Sequence, residues 1–68
     1  MKLYSTKRYI VSYERKHDLL LCSLYNRRSG CLIGSEVIRR QGISKLPVQR
    51  KVMIQRHLLR KLRHKIQY

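Results

Sequence analysis

Four side chains in this sequence carry the donor atoms of a tetrahedral zinc site: Cys22, Cys31, His57 and His64. Zinc fingers pair cysteines about two to four residues apart and histidines about three to five apart, so that each pair grips the ion from one turn of chain. Here eight residues separate the cysteines and six separate the histidines. That spacing argues for separate buried thiols and for exposed histidines that face phosphates, with no metal and no other cofactor. Catalysis is supplied no better. The three acids, Glu14, Asp18 and Glu36, are not locally paired, there is no Gly-rich phosphate loop, and no nucleophile has an evident histidine and carboxylate beside it. The chain reads as a binding protein and not as an enzyme.

What the sequence has in excess is positive charge. Seventeen Lys and Arg stand against three acids in 68 residues, a formal net charge of +14, and from Val37 onward there are ten basic residues and no acid. Such a field repels itself in a compact chain, which implies a polyanionic partner or an anionic membrane surface. Arg outnumbers Lys ten to seven, which suits bidentate contacts to phosphate. The candidate phosphate ligands form three groups. Arg27 and Arg28 close one segment, Arg39, Arg40, Lys45, Arg50 and Lys51 surround Gly42 to Leu46, and Arg56, Arg60, Lys61, Arg63 and Lys65 follow along the C-terminal stretch.

The segments that must position these cations are read as follows. Residues 47–66, PVQRKVMIQRHLLRKLRHKI, read as a long basic helix. At roughly 100° per residue Val48, Val52, Leu59, Leu62 and Ile66 form one apolar stripe with Leu58 beside it, and Pro47 suits the first turn. Residues 18–30 read as a helix capped by Asp18, with Leu20, Leu21 and Leu24 on one face and Gly30 as its stop. Residues 35–46 read as a short helix, capped by Ser35 with Glu36 in its first turn, followed by a hinge between Gly42 and Pro47. Residues 1–17 read as an extended arm in which Tyr9, Val11 and Tyr13 share a side next to Lys7 and Arg8. Those tyrosines would stack on bases while the cations meet phosphates, or would pack on the protein itself.

The expected fold is therefore all-α: an open arrangement of two or three helices with an extended N-terminal arm, one domain, and little core of its own. The apolar seam of helix 47–66 would be covered by a partner. A membrane is the weaker partner, because the seam is thin, the chain has no Trp or Phe, and the longest apolar run, Leu19 to Cys22, is far short of a span. The alternative it leaves is a cationic, membrane-active amphipathic peptide. Two cysteines and no h-region point to a reducing compartment.

Asp18, Leu21, Leu24, Glu36, Val37, Arg39, Arg40, Lys45, Arg50 and Lys51 lie, without a gap, on a pattern that resembles the small-subunit ribosomal protein 21 family of bacteria and organelles. The chain departs from that pattern at Gln41, Gly42, Ile43 and Ser44, where aromatics are expected, at Leu46, which separates Lys45 from Pro47, and at Leu24. The resemblance implies a small helical constituent of the small ribosomal subunit, bound to rRNA near its 3′ end and to neighbouring ribosomal proteins along the seam. It also implies a part in engaging messenger RNA in translation, on a ribosome that is mitochondrial or, alternatively, bacterial or plastid. A second resemblance, to small-subunit ribosomal protein 18, rests on Val11-Ser12-Tyr13 before the Leu-rich segment, then Gly30 and the basic helix, and it needs insertions.

Overall fold

The computed structural model describes residues 2–66, so Met1 at the start of the arm and the C-terminal Gln67 and Tyr68 lie outside the described residues. Four strands, β1 (Lys2–Ser5), β2 (Tyr9–Lys16), β3 (Leu19–Asn26) and β4 (Leu32–Arg39), pair antiparallel in chain order. Among the described residues a single α-helix, α1 (Pro47–Lys61), follows a 3-10 turn at Arg40–Gly42 and runs into another at Arg63–Lys65, so the helix expected over 47–66 stops at Lys61. The all-α expectation is overturned: strands Leu19–Asn26 and Leu32–Arg39 stand in place of the helices expected over 18–30 and 35–46, Arg40–Gly42 is a 3-10 turn, and the arm supplies two strands of the meander.

The physical reason lies in which period the apolar residues obey. In β2 the buried Val11 and Tyr13 alternate with Ser12 and Glu14, and in β3 the buried residues are Leu20, Cys22 and Leu24. These are spaced by two, so successive side chains leave opposite faces of a pleated strand. The Leu20–Leu21–Leu24 face of a helix does not form, because β2 needs a partner for its backbone groups and β3 supplies one along its whole length, from Tyr9↔Asn26 to Lys16↔Leu19. Likewise Ile38 points inward opposite Leu20, while Val37 points outward opposite Leu21. Asp18 is not a helix cap. It occupies the two-residue turn between β2 and β3 with His17, whose φ of 57° is left-handed, and its carbonyl accepts the Arg40 amide at 2.8 Å. Gly30, at φ 75°, sits in the β3–β4 loop and not at a helix end.

α1 covers one face of the sheet and completes a core of Val11, Tyr13, Leu20, Cys22, Leu24, Ile38, Ile54, Leu58 and Leu62. The expectation of little internal core is thus corrected as well. The buried positions Ile54, Leu58 and Leu62 are four apart, a ridge that shares only Leu62 with the expected seam; Leu59 and Ile66 pack partly against the core, and Val48 and Val52 remain 75% and 45% exposed. α1 crosses the sheet from β1 to β4. Its first half is held where the Tyr4 hydroxyl donates to the Lys51 carbonyl at 2.7 Å. Just beyond its end Leu62 lies over Gly34, where an added Cβ would come within 2.7 Å of Leu62 Cδ2. The other sheet face is covered by nothing among the described residues. It presents Leu3, Val37 and Leu32 around a row of Ser23, Ser35 and Ser12, the last buried among its neighbours.

Candidate nucleic-acid interface

Three segments meet at the end of the sheet where β1 turns into β2 and β3 into β4. In the first turn Thr6 closes on Tyr9, its hydroxyl accepting the Tyr9 amide at 3.0 Å. In the β3–β4 loop the Asn26 side-chain oxygen accepts the amides of Arg28 at 2.9 Å and Ser29 at 3.2 Å, and the Gly30 amide donates to the Asn26 carbonyl at 2.7 Å. This is an Asx-type turn that needs the left-handed Gly30 to return the chain. Arg27 ties the two turns together: its amide donates to the Arg8 carbonyl at 3.0 Å and its Nη1 to the Thr6 carbonyl at 2.9 Å. The third segment is the tail of the chain, where Lys65 and Ile66 come up against the same end.

The result is an open concavity of about 980 Å³ whose lining includes Lys7, Arg8, Arg27, Arg28 and Lys65 and no carboxylate. Asp18 lies in the turn beyond the far end of β2, and Glu14 sits six residues along the chain from Arg8, about 20 Å at 3.3 Å per residue. That is more than two Debye lengths in physiological salt, at about 8 Å each, so these acids do not offset the field at the turn end.

A second basic concavity, of about 500 Å³, occupies the opposite end. Lys2, Arg15, Arg40, Lys45 and Arg50 line it, with Glu14 among them. Arg50 is partly committed there, its Nε donating to the Ser44 carbonyl at 3.2 Å and its Nη2 to the Lys45 carbonyl at 3.0 Å. A third hollow, of about 620 Å³, lies between the end of β4 and α1, lined by Arg39, Arg56, His57 and Arg60 with Ile38, Ile43 and Met53.

No protein-family model, curated protein or solved structure matches this chain.

The twelve cations expected from sequence are therefore divided. Arg27, Arg28 and Lys65 meet at the turn end, Arg40, Lys45 and Arg50 at the hinge end, and Arg39, Arg56 and Arg60 beside α1. Lys51 lies over the Tyr4 ring, its Nζ 5.6 Å from the centroid, and Lys61 and Arg63 are exposed and line none of these hollows. Lys2, Lys7, Arg8 and Arg15 join them, and they were outside the expected set. Lys7 and Arg8 stand beside the tyrosines in the sequence, and the β2–β3 pairing, with Tyr9 opposite Asn26, is the signal that places Arg8 next to Arg27.

Tyr4, Tyr13 and Cys22 are structural, whereas Tyr9 lines the turn-end concavity. Tyr13 is buried, and Tyr4 meets it edge-on at 6.2 Å. Burial, then the neighbouring Tyr13 and Cys22, push the Tyr4 hydroxyl up to about 12, so it stays protonated and keeps its bond to α1. Burial likewise pushes the Cys22 thiol up to about 11, which disfavours the thiolate a metal would need. Cys31, expected to be buried, is instead exposed at the turn end, because it falls in the β3–β4 loop and not on an inward strand position. Among the described residues no group of three or more His, Cys, Asp or Glu comes together to hold an ion. His57 is held below its usual range by partial burial and by Arg60 and Lys61, against an opposing pull from Glu36.

Proposed function

We propose that this chain is a nucleic-acid-binding module that grips phosphate backbone without reading sequence. The observation that carries the reading is the acid-free concavity at the turn end, where three separate chain segments bring Lys7, Arg8, Arg27, Arg28 and Lys65 to one place. Repulsion among like charges opposes that gathering, and a polyanion relieves it. A phosphate run fits a surface whose donors are guanidinium and ammonium groups and whose lining offers little flat aromatic surface for bases.

Structured RNA is the polyanion favoured, and a place on the small ribosomal subunit, mitochondrial or bacterial, is the finer form of the proposal. That finer form rests on the spacing from Asp18 to Lys51. Of the residues that carry it, Leu21, Leu24, Glu36, Val37 and Arg39 are in strands, so the helical architecture that the resemblance implied is not available to support it. Neighbouring proteins, in this reading, would meet Val48 and Val52 on α1, since Ile54, Leu58 and Leu62 are already covered by the chain's own sheet. The same burial weakens the membrane alternative: α1 has its main apolar ridge turned inward, and no helix among the described residues is long and apolar enough to cross a bilayer.

The test is binding of the full chain to an RNA hairpin across a salt series, beside vesicles of anionic lipid. Hairpin binding that weakens steeply with salt is expected. Binding to vesicles that outlasts hairpin binding at about 0.15 M salt would replace this reading with the membrane one.

A further inference from the structure

The two basic ends of the sheet have a relation that a single phosphate groove would not have. One is built from the two turns and the chain's tail, the other from Lys2, Arg15, Arg40, Lys45 and Arg50. Arg8, in the turn just before β2, and Arg15, near the far end of β2, bound them, seven residues or about 23 Å apart at 3.3 Å per residue. At physiological salt that distance is more than two Debye lengths, at about 8 Å each, so occupation of one end scarcely alters the potential at the other. Between them, on the same side of the sheet, stands α1, a ridge about 10 Å across. A straight backbone seated at one end would have to climb that ridge to reach the other.

We propose, resting on the phosphate-binding reading above, that the chain is a two-ended clamp: each basic end holds a separate segment of nucleic-acid backbone, and the sheet with its helix is the rigid spacer between them. The turn end is the stronger grip, because it is free of acid, and the hinge end the weaker, because Glu14 lies within it and Arg50 is turned partly to the loop carbonyls. The 31 Å long dimension of the molecule accommodates the spacing. Linking two such contacts in one rigid body makes the second an intramolecular event once two backbone segments are folded side by side.

The experiment is capture of a second nucleic acid. An RNA hairpin is immobilised, the full chain is bound to it, and a labelled second hairpin is offered as RNA or as DNA. Capture of label that rises with protein and falls again in protein excess is the expected result, and whichever label is retained names the source of backbone. The pair Arg40→Glu and Lys45→Glu, and separately Arg8→Glu with Arg28→Glu, should bind the first hairpin more weakly, through the intact end alone, with the larger loss for the Arg8 and Arg28 pair. Captured label should fall about tenfold or more, since phosphate contacts are lost at one end only. The same pairs changed to Gln give the answer if a charge reversal unfolds the chain. Wild-type chain that binds the first hairpin and captures no second one overturns the clamp and leaves the phosphate-binding reading standing. A chain that binds no hairpin at about 0.05 M salt, where such contacts are strongest, overturns both. A folded single-end pair that abolishes all hairpin binding shows one composite site and also overturns the clamp.

Discussion

Lys7, Arg8 and Arg28 are exposed at the turn end and make none of the hydrogen bonds that hold the two turns together through Arg27, apart from the backbone. Replacing all three by Ala therefore removes charge without removing the scaffold, and surface changes of this kind typically alter stability by less than about 0.5 kcal/mol each. Each phosphate contact contributes about 0.7 to 0.9 to the slope of log affinity against log salt, depending on strandedness. Losing three should flatten the slope by about 2 to 3 units. Between about 0.05 and 0.2 M salt, the gap in affinity between wild type and variant should then shrink about 20- to 40-fold. The assay is fluorescence anisotropy of a labelled RNA hairpin across that range, with thermal melting by circular dichroism as the control for folding. A variant that melts like wild type and keeps the wild-type salt slope would refute the placement of phosphate at the turn end, even if its affinity fell.

Three further outcomes follow from the fold and its charges. Leu58 is fully buried and Val48 is 75% exposed, so Leu58→Ala should cost about 2 to 5 kcal/mol in urea unfolding and Val48→Ala little, against the order expected from the sequence-derived seam. Gly34→Ala should lower stability by about 1 to 3 kcal/mol, because its methyl would displace the buried Leu62 side chain, and pairing it with Leu62→Ala should recover part of that loss. Because the His57 pKa is lowered in the folded state, the unfolded chain binds protons more readily there. Its contribution to stability is present above about 6.5 and is lost as the pH falls through the folded-state value, and His57→Gln should remove that part of the acid-side decline in melting temperature.

How much of this was legible in the sequence can be judged residue by residue. α1 was, since Pro47 marks its start and a long segment without Gly or acid sustains one period. Its buried face was not. The sequence carries two apolar stripes with centres roughly 100° apart, one through Val48, Val52 and Leu59 and one through Ile54, Leu58 and, at the edge between them, Leu62, and only the sheet decides which is covered. The stretch from Leu19 to Leu24 is apolar enough to satisfy both helical and strand periods, so period alone could not assign it. What would have decided it is the neighbouring YIVSY, already legible as extended: a strand must find a partner for its backbone, and the two-residue turn at His17–Asp18 puts one within reach. For the candidate site, the sign of the partner follows from composition alone, whereas the grouping of cations does not. Arg27 and Lys7 are distant in sequence and become neighbours only when two hairpins close at the same end of one sheet.

The most direct test of phosphate binding at the turn end is a titration of the isotope-labelled chain with an RNA hairpin, followed by the shifts of its backbone amides. The largest changes are expected at Lys7, Arg8, Arg27, Arg28, Ser29 and Lys65, with smaller ones at Arg40 and Lys45, and all should reverse when salt is raised. Shifts concentrated on the uncovered sheet face, at Leu3, Leu21 and Val37, or an absence of any shift in low salt, would contradict the account.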